Sequence, residues 1–310
     1  MTQEKKSFGV LLFKLLAAPL AALPLSFHLS CSRFVAWVLR VLVRYRKDDV
    51  MINLSRSFPD KKYAEIKGIA RHFYRHLGEI FTQAIWFGGC RGARGRKRFS
   101  DSRVVDLVNP ACFNSLFDGS PGMMVLTSHT GNWELLGGWF NFNHDENEPL
   151  HQAFNELVVV YLGLKSKFWD RFIADNRCCA VNDTSFDGYV ETRNVLRFAL
   201  SNRERKLAYV FPTDQYPYTI AKKHSVGKFL SQETLAMTGG AALAGKLHFP
   251  VCYMRWTDTG DGRYKVELVP ICKDAAEMAP EDIMKQYYSL LEKDIQAQPW
   301  NYLWTHRRWK

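Results

Sequence analysis

Six residues, His129-Thr130-Gly131-Asn132-Trp133-Glu134, restrict this chain more than any other stretch because of what stands on either side of them. Before them, Gly122-Met123-Met124-Val125-Leu126-Thr127-Ser128 reads as a buried strand; after them, Leu135-Leu136-Gly137-Gly138-Trp139-Phe140 reads as the start of a helix over 132–141. A histidine in the turn and a glutamate in the first helical turn, five positions apart, can fold back on each other to make a general base. Histidine titrates near neutral pH, and a carboxylate on its second ring nitrogen fixes the tautomer and stabilises the imidazolium formed when the first nitrogen takes a hydroxyl proton. Gly131 lets the backbone approach a substrate, and the amides that open the helix face a developing oxyanion. Taken alone the spacing is not specific, since a solitary His beside a helix start commonly caps or packs.

Strand-like and helix-like segments alternate through the rest of the chain. Strands are expected at 122–128, 157–161, 207–212, 249–256 and 264–271, and helices at 132–141, 167–176, 188–202, 234–246 and 281–297. This alternation predicts an α/β fold, a mostly parallel sheet flanked by helices. In such sheets ligands bind beyond the carboxyl ends of the strands, so His129 and the pair Asp214-Gln215 fall on one edge. Residues 60–88 read as a core-packed helix striped by Ile66, Ile69, Phe73, Leu77 and Ile80. Gly88 to Arg98, rich in glycine and arginine, reads as a solvated loop, with contact to anionic headgroups or an acidic protein as the alternative. Gly260-Asp261-Gly262 reads as a hairpin turn.

The N-terminus is apolar from Phe8 to Phe27, broken by Lys14 and by Gly9, Pro19 and Pro24. Twenty helical residues span roughly 30 Å, one hydrocarbon core. Lys5-Lys6 and Ala21-Ala22 also suit a cleaved signal peptide. Against cleavage, apolar character resumes at Phe34 to Val43, punctuated by Arg33, Arg40, Arg44, Arg46 and Lys47, as in an anchor that continues into an interfacial helix. Residues 1–47 are therefore expected to form an anchor, spanning or lying in one leaflet, and 48–310 the body. The basic residues after the apolar run place that body on the cytoplasmic side.

Lys and Arg number 42 against 31 acidic residues, a net charge of +11 that calls for an anionic partner. No RNA-binding signature or zinc spacing is present, so nucleic acid is not the expected partner. The seven cysteines form no C-x2-C pair and read as free thiols of a reducing compartment.

The H-x-G-N-W-E turn resembles the H-x4-D/E block of the glycerolipid acyltransferase superfamily, in the form found in the branch that adds late acyl chains to lipid A. Other stretches match that branch in order: Arg46-x3-Val50-x2-Asn53-Leu54-x2-Ser57-Phe58-Pro59; Phe211-Pro212-Thr213-Asp214-Gln215-Tyr216-Pro217; Gly239 to Lys246 followed by Phe249-Pro250-Val251; and the ending Trp304-Thr305-His306-Arg307-Arg308-Trp309. The resemblance implies acyl transfer from the thioester of acyl carrier protein to a hydroxyl of a lipid A precursor, at the bacterial inner membrane. His129 is then the base and Glu134 its orienting carboxylate, Gly131 and Asn132 shape the oxyanion site, and Asp214 and Gln215 contact donor or acceptor. An activated thioester needs neither a cofactor nor a metal. Where relatives carry a basic residue after a Val-Tyr pair, this chain has Val160-Tyr161-Leu162, with Lys165 and Lys167 a turn later, so Arg171 or Arg177 is expected to meet the acceptor's phosphates. The loop after Gln215, Gly227 to Thr234, also departs from the usual Phe-Phe-Gly. An acyltransferase of another lipid (aminolipid, lysophospholipid or glycolipid) is the alternative.

Overall fold

A computed structural model describes residues 8–164, 166–181, 186–215 and 223–309; Lys5, Lys6, Lys165, Tyr216, Pro217 and Lys222 lie outside the described residues. The chain forms helices α1 (Phe8–Ala22), α2 (Leu25–Trp37), α3 (Lys47–Ser57), α4 (Tyr63–Phe87), α5 (Gly92–Ser102), α6 (Pro110–Asp118), α7 (Lys167–Arg177), α8 (Val195–Ser201), α9 (Gly239–Lys246) and α10 (Pro280–Ala297). Its strands are β1 (Val105–Leu107), β2 (Gly122–Thr127), β3 (Leu157–Tyr161), β4 (Tyr189–Glu191), β5 (Leu207–Pro212), β6 (Lys223–Phe229), β7 (Gln232–Met237), β8 (Val251–Gly260) and β9 (Arg263–Cys272). Seven of them form one sheet in the order β1-β9-β8-β2-β5-β3-β4. The block β8-β2-β5-β3-β4 is parallel, whereas β9 turns back antiparallel to β8 and β1 runs parallel to β9. The expected α/β architecture is present.

The two central strands are unbroken apolar runs because helices cover both faces. Every residue of β2 is buried; Met124 and Leu126 join one core cluster, with Tyr209 and Phe211 of β5, and Met123 and Val125 join the other, with Ala208 and Val210. The β8-β9 hairpin turns at Gly260, Asp261 and Gly262, all with positive φ, as the glycines suggest.

Three expectations are corrected. Residues 234–246 are not one helix: β7 runs to Met237 and pairs with β6 through the two-residue turn Leu230-Ser231, both at positive φ (50° and 63°). Such a turn normally carries Asn or Gly, so its sequence signal is missing. Residues 188–202 divide into β4, a 3₁₀ turn and α8. The arginine-rich stretch expected as a loop is α5, docked through buried Phe99, and its Arg98 lies over the Trp86 ring and donates to the carbonyls of Ala21 and Leu23.

The N-terminal segment also differs from one run over 8–27. Pro24, without an N–H, separates α1 from α2, and α2 continues through the π-helical turn Val38–Leu42. Among the described residues, the helical stretch long and apolar enough to cross a membrane is Leu25–Leu42. Lys14, the charge inside α1, pairs with Asp175 of α7 at 2.5 Å. One face of α2 packs on α4, where His28, Ser32 and Ala36 are buried. The opposite side leaves Phe27, Phe34 and Trp37 exposed, with Val41, Leu42 and Val43 beyond.

Close packing of α2 on α4 depends on Gly78, where a Cβ would stand 3.0 Å from the Ala36 nitrogen and 3.1 Å from its Cβ. Gly68 on the same helix has open space around it. Gly78→Val should therefore lower the urea-unfolding free energy by about 1–3 kcal/mol through overpacking, whereas Gly68→Ala should raise it by up to about 1 kcal/mol through helix propensity. Equal midpoints for the two variants would show that α2 does not pack there.

Candidate functional site

β2 and β5 are neighbours in register, with Thr127 opposite Pro212. Each chain therefore leaves the sheet at the same height, and the residues two positions on, His129 and Asp214, emerge side by side. The His129 Nδ1 lies 2.8 Å from Asp214 Oδ1. Asp214 is buried, and burial works to raise its pKa; the charge of His129 and the hydrogen bonds it receives outweigh this and hold the carboxyl below the usual range. With Nδ1 directed at the Asp214 carboxylate, Nε2 faces the other way, and the Gln215 carboxamide nitrogen sits 3.1 Å from it. The Trp133 ring meets the imidazole edge-on at 5.1 Å, the packing role its type suggests.

The carboxylate on the imidazole is thus Asp214 and not Glu134. Glu134 turns both oxygens to Arg177: Nε donates to Oε2 at 2.8 Å and Nη2 to Oε1 at 2.5 Å, a two-pronged ion pair. Burial alone would raise the Glu134 pKa, but Arg177 and, beyond it, His129 keep it ionised below the ordinary value. Arg177 comes from the last turn of α7, and Gly137 makes the approach possible, because a Cβ there would collide with the Arg177 carbonyl. Arg171 lies six residues earlier on α7, half-buried.

Gly131 and Asn132 are committed to holding the turn. Gly131 has φ +60°, and a Cβ would meet the Trp256 ring at 2.5 Å, so the position excludes side chains on two counts. Its N–H donates to Asn301 Oδ1 and its carbonyl accepts from His76 Nε2. Asn132 is fully buried; its Nδ2 donates to Gln83 Oε1 and its Oδ1 accepts the Glu134 N–H. Neither the Gly131 N–H nor the Asn132 amide is available to an oxyanion in this arrangement.

Several positioning residues were absent from the sequence reading. His76 and Gln83 lie seven residues apart on α4, two turns along one face, inside the apolar stripe of Phe73, Leu77 and Ile80. Polar side chains within such a stripe need buried partners, which was the available signal. Tyr287 and Tyr288 of α10 donate to the carbonyls of Thr127 and Thr213, fixing the ends of β2 and β5. The C-terminal segment closes the site: Thr130 pairs with Tyr302, and Leu303 N–H donates to the His129 carbonyl. The cysteines are unpaired thiols, and burial pushes Cys90 and Cys178 up to about 12, away from nucleophilic character.

The sequence model of the family described as bacterial lipid A biosynthesis acyltransferase matches residues 3–157 and 203–310. The match includes the H-x4-E turn, Asp214-Gln215 and the C-terminal segment, and leaves out the stretch that carries α7 and Arg177. None of the curated proteins matches the chain.

Beneath the turn, burial lowers His76 to about 4, so it is neutral at pH 7, and its bare Nδ1 lies 4.0 Å from Glu79. Burial, with Asp258 and Asp261 nearby, raises Glu79 to about 7. A carboxyl raised on folding stabilises the native state most below its unfolded pKa, near 4.5, and that contribution is lost as pH rises through 7. Glu79→Gln, which cannot ionise, should gain stability relative to the parent between about pH 5 and 8, by on the order of 2–3 kcal/mol. Urea midpoints across that range give the difference; a flat difference would place Glu79 in water.

Proposed function

The chain belongs to the family of bacterial lipid A biosynthesis acyltransferases and is an acyltransferase; from that premise we propose that it moves a fatty acyl chain from acyl carrier protein to a hydroxyl of a lipid A precursor, with His129 as the base. The observation that carries the mechanism is the His129–Asp214 contact at the ends of two adjacent strands. Asp214 accepts Nδ1–H and stabilises the imidazolium; the acceptor hydroxyl replaces the Gln215 amide at Nε2 and loses its proton there. Its oxygen attacks the thioester carbonyl, the tetrahedral adduct collapses, and the carrier's thiolate leaves with the proton from Nε2. Gln215, whose amide nitrogen lies 3.1 Å from Nε2, then serves as a side-chain donor to the developing oxyanion. Arg177 holds Glu134 and so fixes α7 against the turn, and Arg171 of the same helix offers a cation to the acceptor's phosphates.

A net charge of +11 suits an acidic carrier protein as donor. The exposed apolar faces of α1 and α2, including Leu15, Leu16, Phe34 and Trp37, support anchoring through residues 1–47, with 48–310 as the catalytic body on the cytoplasmic side of the inner membrane.

Transfer of radiolabelled acyl groups from acyl carrier protein to a lipid A precursor tests this reading. His129→Ala should lower kcat/KM by about 10²- to 10⁴-fold. Asp214→Asn, which keeps shape but supplies the wrong hydrogen-bonding partner for Nδ1, should fall by a similar factor with the fold intact. Glu134→Gln should instead cost about 1–3 kcal/mol of stability by leaving Arg177 without its counter-charge. A folded His129→Ala protein with near-normal turnover would remove the mechanism.

A further inference from the structure

The apolar N-terminal segment joins the catalytic body at a tight elbow. After the π-helical turn Val38–Leu42, Arg44 and Arg46 both take left-handed backbone angles, φ 51° and 47°, and α3 begins at Lys47. Long side chains with a Cβ seldom adopt that conformation, and two within three positions are unusual. Their effect is to gather Arg44, Arg46 and Lys47 around one cavity of about 610 Å³, whose remaining wall is Asp48, Asp49, His306 and Arg307. A second cavity of about 460 Å³ shares Arg44 and Lys47 and adds Arg40, Lys67 and Arg71.

The two carboxylates do not balance these cations. Asp49 accepts from Arg307 Nε at 3.0 and 3.1 Å, and both aspartates occupy the first turn of α3, where their negative charge is engaged by the positive end of the helix dipole. Arg46 donates to the Thr305 carbonyl, a neutral acceptor, and Arg44 and Lys47 stand exposed. Cations from the π-helical turn, α3, α4 and the C-terminal segment therefore converge on one elbow. An oxyanion with several acceptor oxygens is the ligand that matches such a set, because guanidinium forks and an ammonium can each take a separate oxygen.

We propose that the elbow cavity binds the phosphate of an anionic phospholipid headgroup at the bilayer surface. Its setting selects this source over the acceptor or a soluble anion. Val41, Leu42 and Val43, which lead directly into the elbow, are 44%, 61% and 60% exposed, and Phe34 and Trp37 precede them on α2. An apolar band followed within a turn by a cationic ring is the profile of a segment whose side chains enter the acyl region while its cations sit at headgroup level. The cavity wall at His306-Arg307 continues from Leu303, which bonds the His129 carbonyl. A headgroup held there sets the height of the active-site edge above the bilayer.

This inference rests on the membrane association proposed above and not on the acyl-transfer chemistry. The full chain is tested for flotation with vesicles of phosphatidylcholine alone and of phosphatidylcholine mixed with phosphatidylglycerol, at one ionic strength. The parent should prefer the mixed vesicles, and Arg44→Gln/Lys47→Gln should lose about tenfold or more of that preference while binding neutral vesicles as the parent does. Arg44→Gln alone, the milder change should the double variant fold poorly, should lose part of it; Arg94→Gln/Arg96→Gln on α5 should keep it. An unchanged preference in the elbow variants, or an equal loss in the α5 variant, would overturn the site. Displacement from mixed vesicles by inorganic phosphate at matched ionic strength would assign the cavity to a soluble anion, and a raised acceptor KM with unchanged vesicle preference would assign it to the acceptor; either overturns the proposal. Failure of the parent to float with any vesicle would refute the membrane association itself.

Discussion

The pairing of β2 with β5 governs what this fold can do. Because Thr127 stands opposite Pro212, two loops far apart in sequence leave the sheet together, and the His129–Asp214 contact follows from strand register rather than from any local motif. A slip of one residue would turn every side chain of the strand to the other face and carry Asp214 away from the imidazole. The Tyr287 and Tyr288 hydroxyls guard against it by holding the carbonyls at which both strands end. Buried tyrosines serve well here, since an apolar ring packs in the core while one hydroxyl satisfies one carbonyl.

A second constraint comes from the end of the chain. Residues 301–309 run across the site as a strap: Asn301 takes the Gly131 N–H, Tyr302 pairs with Thr130, the Trp304 and His306 carbonyls accept from Asn53 of α3, and Trp309 donates to Thr234 of β7. Arg308, fully buried, donates to the Leu235 carbonyl and to the Tyr288 hydroxyl. The Trp-x-His-Arg-Arg-Trp stretch thus joins α3 to the β6-β7 hairpin, directly after the residues 301–303 that hold the turn carrying His129. Its charge and aromatic content reflect what is needed to satisfy polar backbone that no regular element covers.

What the sequence made legible follows the physics of each segment. The strands at 157–161 and 207–212 were read with the observed bounds because doubly covered strands leave unbroken apolar runs. The β6-β7 hairpin was not, because Leu230-Ser231 fills a turn that lacks the usual Asn or Gly. The α5 helix was hidden by its glycines and arginines, whose packing on Trp86 and on the break after α1 is tertiary. At the site, His129, Asp214 and Gln215 were placed on one edge from strand ends alone. Their pairing was missed, since spacing within the motif favoured Glu134 as the partner, whereas adjacency of β2 and β5 is a property of strand order. Of the two arginines expected to meet phosphates, Arg171 and Arg177, the second lies against Glu134, brought there by an α7 that packs on Gly137.

The central claim is that Asp214 holds the His129 ring with Nδ1 protonated and Nε2 free to take a proton. Nitrogen NMR of protein labelled at histidine reads the tautomer directly, with the His129 resonance assigned by its loss in a substituted chain. The account predicts, at neutral pH and without substrate, an Nδ1–H tautomer for His129 that is lost when Asp214 is replaced by Ala and retained when Glu134 is replaced by Gln. A resonance in the Nε2–H form, or a tautomer that responds to Glu134 and ignores Asp214, would contradict it.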